Sequence, residues 1–126
     1  MAILPEALRA RYWRRLAGVV PCQELGTAAD EHAYGLFAVM VERREVVQRL
    51  LKVKGIPTAV YYAKLLHRHR AFAKYVEGLV LPSSEWLSER VLSLPFHPYL
   101  SEGQIDRVCD VLVKVLAREV RATARL

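Results

Sequence analysis

Apolar residues return every four positions at the start of the chain. Leu4, Leu8, Tyr12 and Leu16 alternate with Arg9, Arg11, Arg14 and Arg15, which predicts an amphipathic helix over residues 4–16 that Gly18 ends. A short extended piece at 21–25 leads into a polar loop at 26–32. Residues 33–41 (AYGLFAVMV) are rich in aromatic and β-branched types and predict a strand. The run is apolar at nearly every position, so both its faces are expected to be covered.

From 43 to 54 the pattern returns to helical spacing, with Val46, Val47, Leu50, Leu51 and Val53 assigned to one side and Gly55 as the stop. Ile56-Pro57 forces the backbone to extended geometry, and 58–62 reads as a strand. In a strand, adjacent Tyr61 and Tyr62 point to opposite faces. Residues 63–78 repeat at neither 2 nor 3.6 and predict irregular structure with room for a short helix. Pro82 opens a helix to about Arg90, residues 91–94 form a short apolar strand, and 95–100 turn on two prolines. Ser101 and Gln104 have capping-box spacing. Ile105, Val108, Leu112, Val115 and Leu116 then make the stripe of a final helix, with Asp110 and Lys114 paired on its outer side. Strands interleaved with helices over 126 residues predict one α/β (α+β) domain, residues 1–126. Its architecture would be a two-layer sandwich with a small, partly antiparallel sheet.

Composition changes this picture little. A hydrophobic content of 53% with 25% charged residues suits one folded domain. Charge or proline breaks each apolar stretch before the roughly 18 residues of a membrane span, and the first 15 residues lack a signal peptide's apolar core; a cytoplasmic protein is expected, with no membrane partner. Cys22 and Cys109 stand far apart without CxxC spacing, so they read as buried thiols. A net charge of +6 attracts anions in general but does not locate a site. Arg43, Arg44, Lys52, Lys54, Lys64, Arg68 and Arg70 alternate with acids such as Glu42 and Glu45 and sit in no recognition motif, so nucleic acid is not expected either.

The chemistry-bearing residues are few. The chain has no GxSxG, Walker, HExxH or GxGxxG motif. His67 and His69 would lack a third ligand as a metal site. With Arg68 and Arg70, His69 makes a candidate contact for a phosphate or carboxylate, because guanidinium forks match those anions. The bland alternative is a solvated basic loop. Tyr61 and Tyr62 read on pattern alone as packing residues, one of them free to face a ligand. His97, between Pro95 and Pro98, is held in a turn where a ring nitrogen could cap a backbone group or reach a neighbouring subunit.

Longer stretches carry a resemblance. In order, they are His32-Ala33-Tyr34-Gly35-Leu36-Phe37, Arg44-Glu45, GIPTAVYY at 55–62, Leu66-His67, Ala71-Phe72, LSERVLSLP at 87–95, HPYLS at 97–101 and QIDRV at 104–108. From about Tyr12 to Leu116 the chain is similar to the carboxy-terminal third of the DegT/DnrJ/EryC1/StrS aminotransferases. It resembles most the members that aminate 3-keto nucleotide sugars, such as UDP-linked uronic acids for bacterial surface polysaccharide and lipopolysaccharide. The resemblance implies the small domain of a type I aminotransferase, from a family that works as a dimer. In that family a large amino-terminal domain carries the Schiff-base lysine, the aspartate under the pyridine nitrogen and most phosphate contacts of pyridoxal phosphate. The match includes none of that domain, so no cofactor is expected on this chain alone and no catalytic residue is assigned within it.

What the resemblance gives this chain is a substrate-side lid, with Tyr61, Tyr62 and His67 at positions where relatives read HYP or YYP followed by PLH. Ala63 and Leu65 replace prolines usual in relatives, leaving the loop after Tyr62 less rigid. His69-Arg70 replace Gln-Pro. Gly35 and Leu36 replace polar residues that face the cleft elsewhere in the family. Two functional classes stand side by side. One is a truncated or split sugar aminotransferase; the other is a non-catalytic binding or dimerisation module of the same descent. Either is expected to cover its apolar faces by forming a homodimer or by pairing with a large-domain aminotransferase chain.

Overall fold

A computed structural model of the chain describes residues 4–22 and 35–124. The polar loop expected at 26–32 and the first two positions of the expected strand at 33–41 lie outside the described residues. Helix α1 is Pro5–Leu16, with proline in the first turn where its missing N–H is harmless. Leu8, Tyr12 and Leu16 form its buried stripe, and Leu4 caps it from outside the core. Strand β1, Phe37–Met40, precedes helix α2, Arg44–Val53. After two 3-10 turns, Leu66–Arg68 and Arg70–Tyr75, come helix α3, Pro82–Arg90, strand β2, Val91–Leu94, and helix α4, Glu102–Ala124.

β1 and β2 pair antiparallel, Phe37 opposite Leu94 and Val39 opposite Leu92. Single bridges extend the sheet on both sides, Cys22 to Val39 and Ala59 to Ser93, also antiparallel. The two-residue period puts Phe37, Val39, Leu92 and Leu94 on one face. There they meet α1 and α4 in a core that includes Tyr12, Leu16, Ile105, Val108 and Leu112. Tyr12 stacks on Phe37 at a centroid distance of 4.9 Å, and its hydroxyl donates to the Pro95 carbonyl at 2.6 Å. Burial pushes that phenol's pKa up.

Several local expectations hold. The capping box forms reciprocally: the Ser101 N–H donates to Gln104 Oε1 at 2.8 Å, and the Gln104 N–H donates to Ser101 Oγ at 3.1 Å. Gly55 stops α2 at φ 79, a conformation that favours glycine. Other expectations are corrected. Val53 is 77% exposed; it lies six residues beyond the buried Val47, and six steps of 100° carry it to another face. The strand expected at 58–62 shortens to the one bridge at Ala59, and residues 61–62 form a turn.

Asp110 pairs with Arg15 on α1 and not with Lys114, because α1 and α4 pack side by side and bring guanidinium groups within reach. Asp106 is the centre of the same network. Arg11 donates to both of its oxygens at 2.9 and 2.7 Å, and Arg15 approaches at 3.2 Å. The Arg11 hydrogen bonds hold the Asp106 carboxyl below its usual range, partly opposed by burial. A depressed folded-state pKa gives stability that is present above the ordinary carboxylate pKa and lost as pH falls through the folded value. The side chain is 32% exposed, so solvent screening keeps the effect small. Thermal midpoints followed between pH 7 and 3 should fall below about pH 4, and Asp106→Asn should flatten that fall.

Candidate functional site

The other face of the sheet carries Ala38, Met40, Val91 and Ser93. It forms the floor of a cleft of about 560 Å³, bordered by Cys22, Leu36, Tyr61, Tyr62 and Leu87. The expectation of a strand covered on both faces holds for Phe37, Ala38 and Val39, all buried, while Met40 beside the cleft is half-buried. A second hollow of about 260 Å³ shares Leu36, Tyr61 and Ser93 with the first and runs on past Thr58 and Pro95 to His97. The two form one trough across the open sheet face. Its walls are mostly apolar, with hydroxyls from Tyr61, Tyr62, Thr58 and Ser93 and the His97 imidazole as the groups able to orient a ligand.

Tyr61 and Tyr62 therefore border the same cleft and do not point to opposite sides of a strand. The cause is backbone geometry: Tyr62 sits in the left-handed region at φ 55, which breaks strand alternation and leaves its ring 91% exposed. A bulky residue there is strained, and such strain gathers at functional sites. Cys22 also reaches the cleft, but burial pushes its thiol up to about 11, so at neutral pH it is neutral and no nucleophile. Cys109, equally pushed up to about 11 by burial, lies in the core.

The remaining sequence candidates do not converge on the cleft. His67 has only 7% of its side chain exposed and turns its Nε2 to Glu85 Oε1 at 3.5 Å. Arg68 pairs with the same carboxylate. The His69 ring lies against the Lys64 carbonyl at 3.3 Å, and Arg70 is exposed. No group of three His, Cys, Asp or Glu side chains able to hold a metal gathers among the described residues. Leu36, at a position that faces the cleft in the resemblance, does border it, while sequence reasoning missed Ser93 and Cys22 as cleft residues. The small side chains Ala38 and Ser93, paired across the two strands, were the available signal of an open floor. No helix among the described residues is long and apolar enough to cross a membrane.

A two-layer fold of helices on one face of a small antiparallel sheet, with a cleft on the other, is found in aminotransferases. A family model described as the DegT/DnrJ/EryC1/StrS aminotransferase family matches residues 6–113. A DegT DnrJ EryC1 StrS aminotransferase from Brucella abortus is 35% identical with a TM-score of 0.81, over 90% of this chain and 30% of that one. DesV from S. venezuelae, solved in complex with a ketimine intermediate, is also 35% identical, with a TM-score of 0.75 over 88% of this chain and 30% of its own. DesI, solved in the presence of its TDP-sugar product, is 26% identical with a TM-score of 0.77, over 97% and 33%. The chain belongs to the DegT/DnrJ/EryC1/StrS aminotransferase family. It spans about 30% of the length of these solved relatives.

That family depends on pyridoxal phosphate. Holding it takes an amine at the aldehyde carbon, a partner for the pyridine nitrogen and a phosphate cradle. All five lysines, Lys52, Lys54, Lys64, Lys74 and Lys114, are exposed, and none borders the trough over the sheet. The trough thus offers no amine for the aldehyde carbon.

Proposed function

We propose that the chain acts as the carboxy-terminal small domain of a sugar aminotransferase, supplying a substrate-side wall to a large domain that carries pyridoxal phosphate. The observation that carries this is the trough on the open sheet face. Two tyrosines and a histidine converge there on an apolar floor, while no lysine of the chain lies within it. Apolar walls with a few hydroxyls suit a sugar ring and its nucleotide base, both of which stack on aromatic faces and accept or donate hydrogen bonds at their edges. The substrate class we infer is a UDP-linked 3-keto uronic acid, used in the cytoplasm for surface polysaccharide or lipopolysaccharide. Tyr61 and Tyr62 are the ligand contacts; Arg68, His69 and Arg70 lie further along the same segment as anion contacts. Exposed Leu66, Tyr75 and Val80 support a covering partner, either a second copy or a large-domain chain.

Two measurements test this. Mixing the chain with a large-domain partner should create glutamate-dependent amination of a UDP-keto sugar. If the chain forms only a homodimer and no such activity arises, the reading as a non-catalytic module of the same descent takes its place. Separately, replacing both Tyr61 and Tyr62 with Phe keeps the rings and removes the hydroxyls. Affinity for UDP-glucuronate, read by calorimetry, should drop by about tenfold or more, as expected for two lost hydrogen bonds. Unchanged affinity removes them from the site.

A further inference from the structure

The chain leaves the sheet at Ala59, which exchanges two hydrogen bonds with Ser93 at 3.0 and 2.9 Å, and returns at Pro82. Between them, residues 61–81 contain no buried residue. Among the described residues, the backbone hydrogen bonds of the two 3-10 turns in this arm are short-range, such as the Arg68 N–H to the Leu65 carbonyl and the Phe72 N–H to the His69 carbonyl. Among the described residues, the arm's side-chain ion pairs to the rest of the chain all end on one oxygen, Glu85 Oε1, contacted by Arg68 Nη2 and His67 Nε2. The His67 side chain is only 7% exposed, and its Nε2 is buried without a hydrogen bond, with Glu85 Oε1 the charged group facing it at 3.5 Å. Glu85 is itself 29% exposed, and its carboxyl is held below its usual range, first by the Arg68 hydrogen bond.

We propose that Glu85 is the positioning residue that fixes the arm bearing Tyr61 and Tyr62, with His67 docking on it as an anchor and not as a ligand contact. An excursion of this length tied only at its ends samples many shapes, and one interior tether divides it into shorter loops with less freedom. The strained backbone of Tyr62 persists only where its surroundings hold it, and the tether supplies that hold from the downstream side. The carboxylate facing Nε2 selects the tautomer with its proton on that atom, leaving Nδ1 as the acceptor. The consequence for a ligand rests on the proposed function; the tether itself does not.

The test compares the wild-type chain with Glu85→Gln, and with Glu89→Gln, whose carboxylate pairs, among the described residues, only with its neighbour Arg90. Amide hydrogen exchange over residues 63–76 should quicken by about fivefold or more in E85Q, with faster tryptic cleavage at Lys64, Arg68, Arg70 and Lys74, while exchange in the core and the thermal midpoint stay as in wild type. The His67 ring nitrogens, read by ¹⁵N spectroscopy at pH 8, should shift from the Nε2-protonated form toward a mixture, which a merely structural change elsewhere would not produce. E89Q should match wild type in all three. Equal arm exchange in E85Q and wild type, an unmoved ring spectrum, or equal loosening in E89Q overturns the assignment. UDP-glucuronate binding is measured on the same proteins: loss of arm order without any wild-type binding sinks the proposed function and leaves Glu85 as the tether.

Discussion

Tyr12→Ala should destabilise the chain by about 3–5 kcal/mol, the range for emptying a large aromatic from a core. Against a total stability of roughly 5–15 kcal/mol for a domain, that removes about a fifth of it at the least and nearly all of it at the most. The expectation rests on three contacts made by one residue: complete burial, the stack on Phe37, and the hydrogen bond to Pro95. Tyr12→Phe separates them. It keeps the ring and leaves the Pro95 carbonyl without its donor, for about 1–2 kcal/mol. Pro95 also lines the trough, so the Phe variant should perturb the His97 end of the cleft before it perturbs the fold. Urea unfolding of both variants checks the ordering, and an Ala variant within about 1 kcal/mol of wild type would show that the stack contributes little.

The second large effect belongs to Arg44. Its guanidinium is buried at the start of α2 and donates to the Ser88 carbonyl, with the Val91 carbonyl at 3.4 Å, binding α2 to the junction of α3 and β2. Arg44→Met keeps an apolar stem of similar reach but orphans those carbonyls. The expected loss is about 1.5–3 kcal/mol, the value for hydrogen bonds to a charged group. In a domain of this size it lowers the thermal midpoint by roughly 5–10 °C. Arg44→Lys should recover only part, because both carbonyls are met by the one nitrogen Nη1 and a compact ammonium is more strongly hydrated, and so costs more to bury, than a guanidinium. A midpoint unchanged in the Met variant would show that water replaces the guanidinium there.

Which features were legible follows from how local their causes are. The stripe of Leu8, Tyr12 and Leu16, the capping box at Ser101 and Gln104, and the stop at Gly55 depend on neighbours within one turn, and each was readable from spacing. The ion pairs of α4 were not. Asp110 has Lys114 one turn away, yet Arg15, 95 residues distant in sequence, takes it because the two helices pack. The tyrosine pair shows the same limit. Strand propensity in TAVYY is genuine, but a strand needs a ladder partner, and among the described residues one is met only at Ala59. Without it the backbone turns at Tyr62, and two side chains that alternation would separate come to border one cleft. His67 was noticed for its chemistry, while its enclosure against Glu85 depends on how the arm folds back, which a segment without periodicity does not announce.

The single bridges flanking β1 and β2 bear on solubility as well as shape. An exposed strand edge offers a row of unpaired N–H and C=O groups on which another molecule can add a strand. Here each flank touches the sheet at one described residue, and a proline stands close by: Pro21 directly before Cys22, and Pro57 two residues before Ala59. Proline has no N–H to give a newcomer, and its ring crowds an approaching backbone. The sheet that carries the cleft is thus a poor template for edge-to-edge growth, so a chain with many exposed apolar side chains is guarded against the commonest route to fibrous aggregation.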